Sequence, residues 1–228
     1  MGRFARLMPL CVGILGVATF LLNAGCGGGG PTRFRFMNAV PDESNLEVLV
    51  NGTSVSNNVA YGTSTGYQSV KSGSQQVVME PSGSSTALVT QSVSFSSGTD
   101  TTIVASNFSS NISALVLTDD NSAPTSGDFK LRIVNDAPGL GPADVYIVAA
   151  GTNLNSVSPD LSNVAFGSAS GYQSVVAGSY EVVLTPVGQK TAAVNTGAIT
   201  FSASQVRTFV GLNSQSGGFI YTMLQDVN

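Results

Sequence analysis

The sequence predicts an all-β protein, two tandem immunoglobulin-like β-sandwich domains behind an export segment, and three observations predict it. Charge is scarce: 10% of the 228 residues are charged while 42% are hydrophobic. Polarity therefore falls to Ser, Thr, Asn, Gln and Gly, which suit strands and turns better than long helices. Short runs of strand-forming residues recur between turn signals, and a long block of the first half returns in the second.

Residues 1–25 begin with Arg3 and Arg6, continue through an apolar run from Leu7 to Leu22, and end in small residues before Cys26. This is the three-part layout of a secretory signal. At about sixteen residues, the run falls short of the roughly 20 that a membrane span needs. Leu22-Asn23-Ala24-Gly25-Cys26 resembles a bacterial lipoprotein signal, in which the cysteine thiol is acylated and becomes the new N-terminus. Asn23 stands where that pattern usually has an aliphatic residue. Lipidation at Cys26 also fits the cysteine count: Cys11 lies inside the segment to be removed, so Cys26 is left with no disulfide partner. Residues 26–32 then read as the lipidated cysteine and a flexible Gly-rich tether. Gly27, rather than Asp, after the cysteine resembles lipoproteins sorted to the outer membrane. The expected address is the cell envelope, exported and lipid-anchored to the outer membrane.

The first sandwich is expected over 33–122. Its strands are read near Arg33–Asn38, Leu46–Val50, Gly66–Val70, Gln75–Glu80, Leu88–Phe95, Thr101–Ser106 and Ile112–Thr118, with Phe36, Val48, Val59, Val78, Phe95 and Val104 in the core. Asn51-Gly52 between apolar runs signals a tight hairpin, since both residues tolerate positive φ. Seven short strands in about 90 residues fit the immunoglobulin rhythm.

The second sandwich, 127–228, repeats the first. Asn58–Val70 and Asn163–Val175 agree at nine of thirteen positions. The correspondence continues from Val77–Pro81 to Val182–Pro186, and upstream Arg35–Pro41 answers Arg132–Pro138. A period of about 100 residues suits a duplicated domain rather than a solenoid. An insertion falls around Gly151–Pro159. The boundary is placed in Asp119–Gly127, a polar stretch with Pro and Gly where few contacts are expected. One larger sandwich or barrel sharing strands of both copies is the rival architecture.

The Arg-Phe-x-Asn-Ala-x-Pro opening, the Asn-Gly turn, the Val-Ala-Tyr/Phe-Gly-x-x-x-Gly-Tyr block and the Gly-Ser-Tyr-x-Val-x-Leu-x-Pro strand are similar to the bacterial domain of unknown function 4397. The resemblance extends over nearly all of 33–228. It implies tandem copies on an exported or lipid-anchored protein, with no established activity. The first copy departs from it with Gln75, where the second has Tyr180.

Catalytic chemistry finds few candidates. The chain has no His, which removes the commonest general base and transition-metal ligand. Gly62-Thr63-Ser64-Thr65-Gly66 matches a nucleophile elbow, but that motif needs a strand-to-helix turn and a histidine, and the second copy has Ala169 at the position of Ser64. Lys71, Lys130 and Lys190 sit in no Ser-x-x-Lys spacing. No acidic residue is shared by the two copies at a motif position, so a glycosidase pair cannot be nominated; Asp144, Asp160 and Asp226 read as solvated strand ends. Asp119, Asp120 and Asn121 offer oxygen ligands for calcium without EF-hand or RTX spacing, and they read as a polar linker. Tyr67-Gln68 and Tyr172-Gln173 could stack on a sugar, yet a Gly-Tyr step entering a strand more simply closes a loop over a core. Net charge is −4 with scattered basic residues, which argues against nucleic acid.

The sequence thus points to a non-enzymatic, lipid-anchored cell-envelope module without cofactor or metal, acting as spacer, scaffold or protein-binding surface. The alternative is a carbohydrate-binding or adhesive surface module. Its expected partners are the membrane, through the lipid, and an envelope protein or glycan.

Overall fold

The computed structural model describes residues 30–226. The signal segment and Cys26 lie outside the described residues. What is described is all-β, with four sheets arranged as two face-packed pairs.

Residues 33–119 build the first pair. Strands β1 (Arg33–Asn38), β2 (Asn45–Val50), β3 (Thr53–Ala60), β4 (Gln68–Ser69), β5 (Gly73–Pro81), β6 (Val89–Phe95), β7 (Asp100–Ser106) and β8 (Ser113–Asp119) form the sheets β4-β1-β7-β8 and β3-β2-β5-β6. Residues 128–225 build the second from β9 (Asp128–Asp136), β10 (Ala143–Ala149), β11 (Leu161–Val164), β12 (Ser168–Ala169), β13 (Gln173–Val176), β14 (Gly178–Pro186), β15 (Val194–Asn195), β16 (Ile199–Phe201), β17 (Val206–Asn213) and β18 (Phe219–Gln225). Here β9 is flanked by β12 and β13 on one side and by β17-β18 on the other, facing a sheet ordered β11-β10-β14 with β15 and β16 both on β14. Among the described residues no sheet takes strands from both halves. In each half one strand pair is parallel, β1 with β7 and β9 with β17.

Each half has its own core. Phe34, Phe36, Leu46, Val48, Val77, Met79 and Phe95 fill the first; Phe129, Leu131, Ile133, Val145, Leu184 and Phe209 are among those filling the second. Of the six residues expected in the first core, Val78 is instead half-buried. Val104 is buried, but it faces away from that core into a third cluster with Met37, Ala39, Val134, Val210, Leu212 and Leu224, which draws on both halves. The reason is the two-residue strand period. In β1, Phe34 and Phe36 point inward, so Arg35 and Met37 point outward, against the outer face of the sheet built on β9 and β17. Strands covered on both faces read as nearly continuous apolar runs.

Two strand readings change. Thr53–Ala60, which carries no alternating apolar pattern in the sequence, is strand β3. Only Val55, Val59 and Ala60 in it are apolar, because it is an edge strand with mostly exposed side chains, and its pairing to β2 slips twice, once around Asn58, which takes a positive φ, and once at Val55. The strand expected over Gly66–Val70 shortens to Gln68–Ser69. Asn51 and Gly52 do turn the β2–β3 hairpin, with φ of 50° and 76°, the left-handed pair that a type I′ turn requires.

Candidate functional site

The outward faces of β1–β7 and β9–β17 meet in a polar seam centred on two arginines. Arg35 in β1 and Arg132 in β9 are buried, as are Asp119 at the end of β8 and Asp226 just past β18. Arg35 donates from Nε to Thr102 Oγ1 at 2.8 Å, and Thr102 donates to Asp119 Oδ2 at 2.7 Å. Asp119 Oδ1 accepts from Arg132 Nη2 at 2.5 Å, and Arg132 Nε donates to Thr208 Oγ1 at 3.2 Å. Thr208 donates to Asp226 Oδ2 at 3.1 Å, and Asp226 Oδ1 closes the circuit by accepting from Arg35 Nη2. The result is a hydrogen-bonded ring of six side chains, three from each half, related by a local two-fold. The third arginine nitrogens obey the same symmetry: Arg35 Nη1 donates to the Gln225 carbonyl and Arg132 Nη1 to the Thr118 carbonyl, at 2.8 and 3.1 Å.

The repeated tyrosines cap the ring. Tyr67 donates to Asp119 Oδ2 at 2.5 Å with the Arg35 guanidinium 4.8 Å from its ring centre; Tyr172 donates to Asp226 Oδ2 at 3.0 Å with Arg132 at 4.8 Å. Such cation–π contacts contribute about 0.5–2 kcal/mol, the more so when dry. Burial works against the charge on Arg35, but Asp226, Tyr67 and Asp119 outweigh it and leave its pKa above the ordinary value. Burial, reinforced by Asp119, pushes the Tyr67 phenol well up; burial does the same for Tyr172, against the opposing pull of Arg132. Both phenols therefore stay protonated and donate. Two buried cations face two buried anions with their hydrogen-bonding groups engaged, the condition under which buried charge is tolerated.

Further hydrogen bonds cross the seam. Tyr61 donates its hydroxyl to the Asn213 carbonyl, Thr222 donates to the Gly62 carbonyl at 2.6 Å, and Gln215 donates to the Pro41 carbonyl at 3.0 Å. Ser106 donates to Asp136 Oδ1, while Asp136 Oδ2, fully buried, has no hydrogen-bond partner among the described residues. Burial raises this carboxyl to about 7, against the lowering effect of Ser106.

These positions overturn several expectations. Asp119 is not part of a polar linker, and the 119–127 stretch is not poor in contacts at its start; the seam uses Asp119 as an anion. Asp226 and Asp144 are buried rather than solvated: Asp226 faces Arg35, and Asp144 accepts the backbone N–H groups of Asn163 and Gly188. Asp160 is exposed but accepts the Ile147 N–H. The three calcium candidates point to different partners. Asp120 pairs with Lys130 at 2.8 Å and, chiefly through that lysine, is held at about 2, while Asn121 donates to Asp100. Among the described residues no cluster of three or more acidic or sulfur ligands could hold a metal ion. Ser64 lies in the loop ahead of β4, bridged to Met37. The Tyr67 and Tyr172 rings are half-buried and covered by guanidinium groups, so neither offers a free platform for a sugar.

The ring itself went unread in the sequence, although its signals were present. Arg35 and Arg132 sit inside the repeat, Thr102-Ile103-Val104 answers Thr208-Phe209-Val210, and Leu117-Thr118-Asp119 answers Leu224-Gln225-Asp226, so the copies do share an acidic residue, contrary to the expectation of none.

The fold and the seam define an all-β sandwich protein whose two halves are clasped through buried charge. The chain belongs to the family named Domain of unknown function (DUF4397), whose model matches residues 32–146. No curated protein matches the chain. Two solved structures show a low likeness. One is CBMbc (family CBM26) of Eubacterium rectale Amy13K in complex with maltoheptaose, with 10% identity and a TM-score of 0.28 over 86% of this chain and 97% of that one. The other is a leucine-rich repeat protein from Bacteroides thetaiotaomicron, with 13% identity and a TM-score of 0.20 over 78% of this chain and 25% of that one. At these scores neither lends its fold or its ligand to this chain.

Proposed function

We propose that the protein is a non-enzymatic cell-envelope module, exported, lipidated on Cys26 and held at the outer membrane. In it, two tandem immunoglobulin-like sandwiches, 33–122 and 127–228, act as one spacer or scaffold that presents a protein-binding surface. The observation that carries this reading is the closed ring of Arg35, Thr102, Asp119, Arg132, Thr208 and Asp226. The most reactive-looking groups of the chain are spent on fixing one half against the other, which serves a body that must hold its shape and leaves little to turn over a substrate. The lipid anchor rests on the signal layout and the lone mature cysteine.

Two measurements test it. Labelling cells with an alkyne fatty acid should mark the wild-type protein, and Cys26→Ser should lose both the label and the membrane association; membrane association that survives the substitution overturns the anchor. Small-angle scattering from the body after the tether should fit a single rigid arrangement of the halves, and a broad spread of orientations would refute the scaffold.

A further inference from the structure

The two copies differ at one place in a way that opens a site in the first. In the second half Tyr180 of β14 folds its ring over Phe129, centroids 5.8 Å apart, and donates its hydroxyl to the Val176 carbonyl at 2.9 Å. The ring lies so close over Gly178 that a Cβ there would come within 3.1 Å of it. The first half has Gln75 at the equivalent place in β5, since Val48 pairs with Met79 and Val145 with Leu184 in the same register. The Gln75 amide is drawn aside to Asn51 and to the Ser72 carbonyl. Gly73, the counterpart of Gly178, takes a φ of 95°, unlike Gly178, and a Cβ on it would meet nothing within 4 Å.

Beside Gln75 the first half has a cavity of about 330 Å³, with Phe34, Val50, Val55 and Val70 supplying apolar wall and Asn51 and Gln75 a polar edge. That volume lies within the range of small-molecule sites, which are mostly apolar with a few placed polar groups. A second exchange accompanies the first. Lys71 stands among the lining residues at an exposed position where the second copy has the apolar Val176. The copy without the ring carries a cation beside the opening.

We infer that this cavity binds an aromatic carboxylate, its ring seated where Tyr180 sits in the second half and its carboxylate paired with Lys71. The same chemistry is carried by a free aromatic acid and by a polypeptide ending in tyrosine or phenylalanine. The inference is independent of the seam and of the scaffold reading.

The test is a titration of the purified protein, followed by NMR, with 3-(4-hydroxyphenyl)propionate and separately with the tripeptide Gly-Gly-Tyr. Saturable binding is expected with a Kd on the order of 1 mM for ligands of this size; tighter binding of the acid points to a free metabolite and of the tripeptide to a protein C-terminus. Gln75→Tyr should restore the second copy's plug and weaken binding at least about tenfold without lowering the melting temperature. Lys71→Val, at an exposed position and safe for folding, should remove the preference for the acid over its amide. No saturable binding of either probe overturns the inference, as does a preference for the acid that survives Lys71→Val. Affinity unchanged in a folded Gln75→Tyr protein overturns it as well.

Discussion

Replacing Arg35 by Met isolates what the ring contributes. The Arg35 side chain is 2% exposed and its partner Asp226 0%, so solvent cannot take over the pairing. The substitution removes the donors to Thr102, to the Gln225 carbonyl and to Asp226, and leaves Asp226 as a buried anion with Tyr172 and Thr208 still donating to it. Breaking one partner of a buried ion pair costs about 3–5 kcal/mol, whereas an exposed pair is worth about 0–1 kcal/mol. For a body of this size each kcal/mol moves Tm by about 2–4 °C, so a fall of about 6–20 °C is expected by calorimetry. Asp226→Leu alone should cost a similar amount because it strands the guanidinium. The double variant should recover much of the loss, since an apolar pair carries no desolvation penalty, giving a coupling energy of at least about 1.5 kcal/mol in a double-mutant cycle. A single-variant loss below about 1 kcal/mol, or losses that add to within about 0.5 kcal/mol, would refute the claim that the pair works as a buried unit.

Asp136 makes the seam sensitive to pH. Its folded carboxyl stands at about 7 against the ordinary 3.8, so the folded state keeps a proton that the unfolded chain releases, and stability should fall as pH rises from about 4 to 7, by at most about 4 kcal/mol. Asp136→Asn, measured by urea unfolding between pH 4 and 8, should flatten that slope, and an unchanged slope would assign it to another group. Tyr61→Phe removes the hydroxyl that donates to the Asn213 carbonyl and should cost about 1 kcal/mol in the same assay; no loss would show that the bond adds nothing. Gly139→Ala would bring a Cβ within 2.7 Å of Asn213 Nδ2, so it should displace the Asn213 side chain that accepts the Gly139 N–H and raise hydrogen exchange at that amide, with unchanged protection as the contrary result.

What was legible in the sequence followed from short-range physics. Alternation located most strands, Asn51-Gly52 located the hairpin, and scarce charge located the fold class. Strand β3 escaped because an edge strand with one face in water needs few apolar residues, so its pattern resembles a loop. The seam escaped for a different reason. A buried arginine looks like a surface arginine until the partner strand is placed, and Arg35 meets Asp226 across 191 positions. The same blindness put Asp119, Asp144 and Asp226 at solvated ends. Their usual preference for water is a prior, and a guanidinium or a pair of backbone N–H groups overrides it locally. The duplication could have supplied the missing information, since groups repeated at strand positions facing away from each core mark a surface that both copies use.

That surface has a consequence for the halves taken alone. A seam with a local two-fold is self-complementary in principle, because each half carries one arginine, one threonine and one aspartate of the ring in equivalent places. Residues 30–122 have their own buried core, and two copies could form the ring again with Arg35 of each reaching Asp119 of the other. Several seam contacts break the two-fold, and one of them involves a buried carboxylate. Asp136 faces Ser106 across the seam, and by register the counterparts of these residues are Ala39 and Leu212. Two first halves would set Ala39 against Ser106, which are small and tolerable. Two second halves would set the Asp136 carboxylate against Leu212 and take away its one hydroxyl partner, a cost of several kcal/mol at neutral pH. Sedimentation at pH 7.5 should therefore find the first half in a monomer–dimer equilibrium that Arg35→Met abolishes, and the second half monomeric until Asp136→Ala lets it associate. If the second half dimerises as tightly as the first, or if Arg35→Met leaves the first-half dimer intact, the ring is not what joins the halves and Asp136 is not what keeps each from pairing with its own kind.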